Sequence, residues 1–457
     1  MDEASPQNDT TPVMAADQHP FSPEGSFNTP TINEKQIERN MTLVNDIENN
    51  INQALQSRGQ ENHLAIRRTL LESPIASKNL NGEGSNNTVH VVELDLSDGG
   101  KLIAFAKSEL GESFYEKQDN KSFLKITQQL SPEGKVITEK SVIRGAAKAQ
   151  MEQMLAHRKD DDSKRLTATA AFYGIKEEAM PFDAKITGFK FTERGHATKS
   201  EFVTSVVDNL LDFGVILQTA LRQEKNGLTS YQQQAEGEEL TSEALADFLD
   251  NKTESKGAES IMRLACLDFL LKQTDRHINN IFYDKETGKY WGIDNGSANQ
   301  LSVSGSVEAR HGQKIDMGMP VDQYVSIPLD MVYQDENWEI DEQALKNMTD
   351  LYQNIMNHVA YAKGVMKPEE ANKLPEHVKQ GRDAKAVSDM YRLLFEKIDA
   401  QGNIVPESTH IAKTEAKEFM KRLGYLITFK RPPKIAEQHY SKNMLNIVQI
   451  MLQRYGR

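Results

Sequence analysis

The chain has 457 residues, 38% of them hydrophobic, which is enough to bury a large core in two or three domains or in one bilobal enzyme with extensions. Its formal net charge of -13 provides no general basic face to neutralise phosphates, which excludes a general nucleic-acid binder. The single cysteine, Cys266, can form no internal disulfide and suits a reducing, cytoplasmic compartment, and no apolar stretch approaches the roughly 20 residues of a transmembrane span.

In chain order, residues 1-34 contain no Lys or Arg and are rich in Pro, Ser, Thr, Asn, Asp and Gln. A secretory signal needs a basic start and an apolar centre, so the composition predicts a disordered leader over 1-33. In composition it resembles the flexible leaders of bacterial effectors injected into host cells. From Asn33 to Arg68, Ile37, Met41, Leu43, Val44, Ile47 and Ile51 recur at spacings of three and four, which predicts a helical extension over 34-72. The pattern then changes to strands: "TVHVVELDL", the turn "SDGG" and "KLIAFAKSEL" predict an antiparallel hairpin from Thr88 to Lys107. Val142 to His157 has helical period, and "AKITGFKF" reads as a further strand.

Beyond residue 200 helices dominate. They are expected over Glu201–Gln223, Ser242–Leu249, Ser260–Gln273, Asp341–Ala362, Ala384–Lys397, Lys413–Leu423 and Ser441–Arg454. Cys266 lies within "LACLDFLL" and reads as a small buried hydrophobe. A β-rich part followed by a helical part, with one hairpin set into the helices, predicts an α+β protein of two lobes, a smaller one over 73-200 and a larger one over 201-457.

That hairpin lies in "TDRHINNIFYDKETGKYWGIDNG", Thr274 to Gly296. "DKETG" supplies turn residues between "NIFY" and "KYWGID". A turn centred on Thr287 would set Asn280 opposite Asp294, with Cβ atoms about 5 Å apart. An amide oxygen and a carboxylate at that separation are hard ligands suited to Mg²⁺ shared with nucleotide phosphates. Asp275 precedes Asn280 by the separation that protein kinases use between the catalytic Asp and the metal-binding Asn, with a second metal-binding Asp beyond a short hairpin. An EF-hand starting at Asp284 fails, because its sixth position would be Lys289 rather than Gly and its twelfth Asn295 rather than Glu. A surface hairpin rich in charge is the plainer alternative, opposed by the apolar helix "IMRLACLDFLLKQ", which would deliver Asp275 to a fixed place.

"DRHINNIF" followed by "IDNG" resembles the D-R-H-x-x-N and I-D-x-G elements of the phosphoinositide 3-/4-kinase-like and atypical protein kinase superfamily, which includes actin-fragmin kinase. The resemblance implies a bilobal protein-kinase-like fold with a small β-rich N-lobe and a larger helical C-lobe. It implies ATP with Mg²⁺, or Mn²⁺ in its place, Asp275 as the catalytic carboxylate, and Asn280 and Asp294 as metal ligands. Asn295 stands where most protein kinases have the Phe of D-F-G, a departure shared by some members of this superfamily. His277 is expected near the transferred phosphoryl group, supporting Asp275.

The resemblance also predicts a cation on a small-lobe strand. Lys107 ends "AFAK", sharing one strand face with Ile103 and Phe105, and would meet the α- and β-phosphates; Phe105 stands where V-A-I-K has Ala. "NGEGSNNT" precedes the hairpin as a phosphate-covering loop should, with Gly82, Gly84 and Ser85 as candidates; an ordinary turn is the alternative. Glu152 in "AAKAQMEQMLAHR" is the candidate acid to pair with Lys107, against a plain solvated helix carboxylate. The acceptor is expected to be a protein Ser, Thr or Tyr hydroxyl, because Gly296 to Met319 offers only Arg310, His311 and Lys314 to a polyanionic headgroup. The competing readings are a phosphoinositide kinase, and a kinase-like fold used for nucleotidyl transfer or for binding without catalysis.

Overall fold

The computed structural model describes residues 34-83, 87-96, 99-112, 114-117, 123-130, 136-143, 195-224, 227-241, 243-245, 248, 257-299, 302-308, 314-320, 326-333, 337-399 and 401-433. All of them belong to one compact unit, Asn33–Arg457. The expected leader lies outside the described residues.

The helical extension forms as its periodicity predicts. Helix α1 (Glu34–Ser57) buries Ile37, Leu43, Val44, Ile47, Ile51 and Leu55 along one stripe, and Gly59, at φ 69, reverses the chain into α2 (Glu61–Glu72). Strand β1 (Ile75–Glu83), β2 (Asn87–Asp95) and β3 (Lys101–Glu112) then pair antiparallel in sequence. Alternation along β3 sorts its side chains. Ala104 and Ala106 are buried with Val92, Leu94, Ala220, Tyr231 and the α2 residue Leu70, while Ile103, Phe105 and Lys107 occupy the opposite face. One face of the sheet is thus sealed by the extension, and the other carries the lysine.

A small antiparallel sheet, β4 (Phe114–Lys117), β5 (Phe123–Leu130) and β6 (Val136–Ile143), comes after β3. Val142 and Ile143 therefore end a strand instead of opening the expected helix, whose remaining residues lie outside the described ones, as do Ala184–Phe191. Helix α3 (His196–Leu211) is next in the chain. A helix expected to reach Gln223 stops at Leu211, because Asp212 at φ 53 and Gly214 at φ 62 turn the chain left-handed. The chain then forms β7 (Thr219–Glu224) and β8 (Gly227–Gln233), which complete a five-stranded sheet in the order β1-β2-β3-β8-β7. Period cannot distinguish a strand from a helix in segments this thoroughly buried. The sheet of the first lobe thus includes two strands from beyond residue 200.

The helical part contains α4 (Ala258–Leu271), α5 (Ile327–Tyr333), α6 (Glu342–Ala362), α7 (Pro368–Lys373), α8 (Glu376–Lys379), α9 (Arg382–Phe395) and α10 (Pro406–Phe429). Cys266 is fully buried on α4, and desolvation raises its thiol pKa, so it packs as the small hydrophobe expected. Strand β9 (Glu238–Glu239) pairs with β10 (Ile281–Asp284), which pairs with β11 (Lys289–Gly292). Strands β12 (Ser302–Glu308) and β13 (Lys314–Pro320) form a second hairpin that the sequence pattern does not predict. Ser242–Leu249 lies partly, and Ser441–Arg454 wholly, outside the described residues. The chain is α+β, and an antiparallel sheet followed by a helical part is consistent with a bilobal, kinase-like fold. Among the described residues no helix is long and apolar enough to cross a membrane.

Candidate functional site

Helix α4 is apolar around most of its circumference and therefore buried, and it ends at Lys272, whose φ of 54 turns the chain into the loop Gln273–Asn280. Arg276, fully buried, holds that loop in place. Its guanidinium donates to both carboxylate oxygens of Asp268 on α4 at 3.2 to 3.3 Å, to Oδ1 of Asn295 at 2.6 Å, and to the carbonyls of Ile293 and Asn280. Ser326 donates to the second Asp268 oxygen at 2.8 Å. A buried cation needs this many acceptors, and here they come from α4, the loop, the hairpin and the segment before α5. The loop bearing Asp275 is thereby tied to the one bearing Asp294.

The hairpin register differs from the expected one by one residue. Lys285–Gly288 forms a four-residue loop in which Asp284 accepts from the backbone N–H of Glu286 at 2.9 Å, and Gly288 takes φ 72. Ile281 consequently pairs with Gly292 and Asp284 with Lys289. Asn280 then lies opposite Ile293, whose N–H donates to its carbonyl at 3.0 Å, and Asp294 stands one residue further on. Asn280 and Asp294 are not a cross-strand pair, because a loop with an even number of residues moves the centre off Thr287. Other bonds fix the Asn280 side chain: Nδ2 donates to the Asp275 carbonyl at 2.8 Å and lies 3.2 Å from Nε2 of His277. His277 thus meets the Asn280 carboxamide.

Asp294 adopts φ 52, a left-handed conformation that Asp tolerates better than most residues, and its side chain is 51% exposed. Its Oδ1 accepts from Nζ of Lys107 at 2.8 Å. The same ammonium donates to Oε1 of Glu201 on α3 at 2.5 Å. Desolvation pulls the Lys107 pKa down, but Asp294 and Glu201 more than offset it and hold the ammonium charged. The other oxygen of Glu201 accepts from the backbone N–H of Asn295 at 2.9 Å and from its side-chain amide at 3.3 Å. Next to it on α3, Ser200 donates to the carbonyls of Asn295 and Ala298 at 3.0 and 2.9 Å. One turn of helix thus grips both the strand lysine and the segment just after Asp294. Chemically, this is a fixed cation beside a half-exposed carboxylate, on a sheet face where Val89, Val91 and Phe105 are only partly buried and Ile103 is exposed.

Lys107 and Asp294 meet directly, and Asn280, His277 and the Asp275 backbone form an adjoining cluster. Gly82 lies in β1 opposite Val89, which is opposite Lys107, so all three share one row across the sheet. Gly84, Ser85 and Glu152 lie outside the described residues. Among the described residues the helix acid on Lys107 is Glu201, which sequence reasoning misses, as it misses the roles of Arg276 and Asn295. The signal for Glu201 is a carboxylate opening the apolar run "EFVTSVV", a costly residue to bury without a partner. Among the described residues, no group of three or more His, Cys, Asp or Glu side chains is placed to hold a metal.

No protein-family model matches the sequence, and neither does any curated protein. Among solved structures the chain is similar to the proinflammatory kinase CtkA of Helicobacter pylori, at 11% identity over 77% of this chain and 98% of that one. The TM-score is 0.28, and a likeness that loose carries no argument about the site.

Proposed function

We propose that the chain is an ATP- and Mg²⁺-dependent phosphotransferase whose acceptor is a protein hydroxyl. The observation that carries this reading is the Lys107 ammonium bridging Glu201 and Asp294. A strand lysine fixed by a helix carboxylate next to a metal-binding Asp is what holding nucleotide phosphates requires. Lys107 would bind the α- and β-phosphates. The half-exposed carboxylate of Asp294 and the amide oxygen of Asn280 are hard donors that would hold Mg²⁺ or Mn²⁺. A metal held there would supply charge neutralisation for the transferred phosphoryl group.

Asp275 would accept the proton of the acceptor hydroxyl as its oxygen bonds to the γ-phosphorus and the bond to the β-phosphate oxygen breaks, releasing ADP. The row Gly82, Val89, Lys107 supports a place for Gly82 beside the phosphates. The test is incubation with Mg²⁺ and ATP labelled at the γ- or the α-phosphate, using a generic protein acceptor in one arm and phosphoinositide vesicles in the other. Label transferred from the γ-position to protein is expected. Transfer from the α-position alone defeats the reading in favour of nucleotidyl transfer, and γ-transfer to lipid alone replaces the acceptor.

A further inference from the structure

The helical extension 34-72 is joined to helix α3 by a set of buried polar contacts that simple surface packing does not require. Arg67 of α2 is fully buried and bonds Glu48 of α1 through two nitrogens, at 2.6 and 3.1 Å. Its remaining nitrogen lies 3.4 Å from the Ser205 hydroxyl and 3.1 Å from Oε1 of Gln218. The guanidinium carbon sits 5.9 Å from the ring centre of Phe202. Phe202 adjoins Glu201, and Ser205 is one turn beyond it on the same face. At the far end of α3, Arg58 donates to the carbonyls of Asn209 at 2.5 Å and Leu210 at 2.9 Å. These are carbonyls of the last helical turn, at the negative end of its dipole. Asn347 of α6 takes the next carbonyl, that of Leu211, at 2.9 Å.

The extension is anchored at its other end. Arg39 of α1 pairs with Glu396 at 2.6 Å, Gln36 accepts from the N–H of Ile398 at 2.7 Å, and Lys385 of α9 pairs with Asp46 at 2.9 Å. It therefore spans from the helical part to α3. We infer that residues 34-72 are an intramolecular positioning element for α3, with Arg67 and Arg58 as the positioning residues that keep Glu201 on Lys107. Burying a guanidinium and a carboxylate carries a desolvation cost that an apolar contact would avoid, so the pair has a geometric use in fixing one orientation of α3. The inference rests on the proposed role of the Lys107–Glu201 pair, but its test does not need turnover.

The test is acetylation of Lys107 by an N-hydroxysuccinimide ester on the intact chain, followed by mass spectrometry, with exposed Lys346 as the internal reference. In the wild type, the Lys107 ammonium donates to both Glu201 and Asp294 and reacts slowly. Arg58→Ala and the volume-conserving pair Glu48→Leu with Arg67→Met are each expected to raise Lys107 labelling several-fold without changing Lys346. Glu201→Gln should raise it too, and adding Arg58→Ala to Glu201→Gln should raise it no further, because both act through one contact. Unchanged labelling in Arg58→Ala, or effects that add to those of Glu201→Gln, would overturn the inference. Arg58 is exposed, so its variant decides the matter even where the buried pair cannot be replaced. Absence of γ-phosphoryl transfer in the wild type would sink the proposed function and leave the labelling result standing.

Discussion

Asp294 holds a left-handed φ of 52, which a side chain tolerates only at a cost. Glycine there would relieve that cost while removing the carboxylate, so Asp294→Gly should keep or slightly raise the unfolding free energy, by up to ~1 kcal/mol, and lower phosphoryl transfer by about 100-fold or more. Midpoint and turnover measured on one preparation check it; a variant that loses stability and keeps activity refutes the role of Asp294. Lys107→Met should likewise lower transfer about 100-fold and weaken ATP binding measured by calorimetry. Asp275, Asn280 and Asp294 were legible in the sequence because a short loop and a hairpin fix them within one local stretch. Glu201 was not, because it reaches Lys107 across 94 positions, from a helix well beyond the one expected to supply the acid. Spacing encodes local geometry, whereas a contact made by the return of a distant helix leaves only a buried charge in search of a partner.

Among the elements, helix α6 begins where its cap predicts. Asp341 accepts from the N–H of Ala344 at 2.8 Å and forms two bonds with Arg263 of α4, at 2.8 and 2.9 Å. Burial pushes the Asp341 pKa up, but the Arg263 guanidinium and the Ala344 N–H outweigh it and the net shift is downward from 3.8. A carboxyl depressed in the folded state contributes stability that is present above its unfolded value and lost as pH falls through the folded one. Asp341→Asn retains a capping oxygen and loses the charge. It should therefore be less stable than wild type by roughly 1 to 2 kcal/mol near neutral pH, with the gap closing in acid; urea midpoints across pH measure both. A gap that persists unchanged at about pH 2 refutes the charge as its source. Helices with one apolar stripe were readable in this way, α1 and α6 among them. Strands β7 and β8 were not, since buried on both faces they show neither alternation nor helical period, and the hairpin after Asn280 slipped by one residue because loop length is set by which glycine turns left-handed.

At the scale of the whole molecule, the sheet depends on an extension that precedes it. Ile37, Leu43, Val44, Ile47, Ile51 and Leu55 of α1 and Leu70 of α2 are all buried, and Leu70 shares a cluster with Ala104, Ala106, Ala220 and Tyr231 on the sheet face away from Lys107. Exposing these side chains forfeits a gross burial energy on the order of 10 kcal/mol, comparable to the ~5 to 15 kcal/mol net stability of an ordinary domain. Arg222 of β7 would also lose two of its three acceptors, because its guanidinium donates to the carbonyls of Thr69 at 3.0 Å and of Leu70 as well as to that of Ser73 at 2.8 Å. A chain starting at Ser73 should therefore lack a cooperative thermal transition and expose apolar surface to a dye such as ANS. Ile47→Ala, a milder version of the same insult, should cost about 2 to 5 kcal/mol while leaving a folded protein. A truncated chain that melts sharply near the full-length temperature would show instead that the sheet is self-sufficient and that α1 and α2 are an accessory. The amphipathic period of 34-72 predicted that these helices would bury a face, but it did not reveal against what, because the complementary surface is assembled from β2, β3, β7, β8, α3 and α9, segments brought together only by the fold.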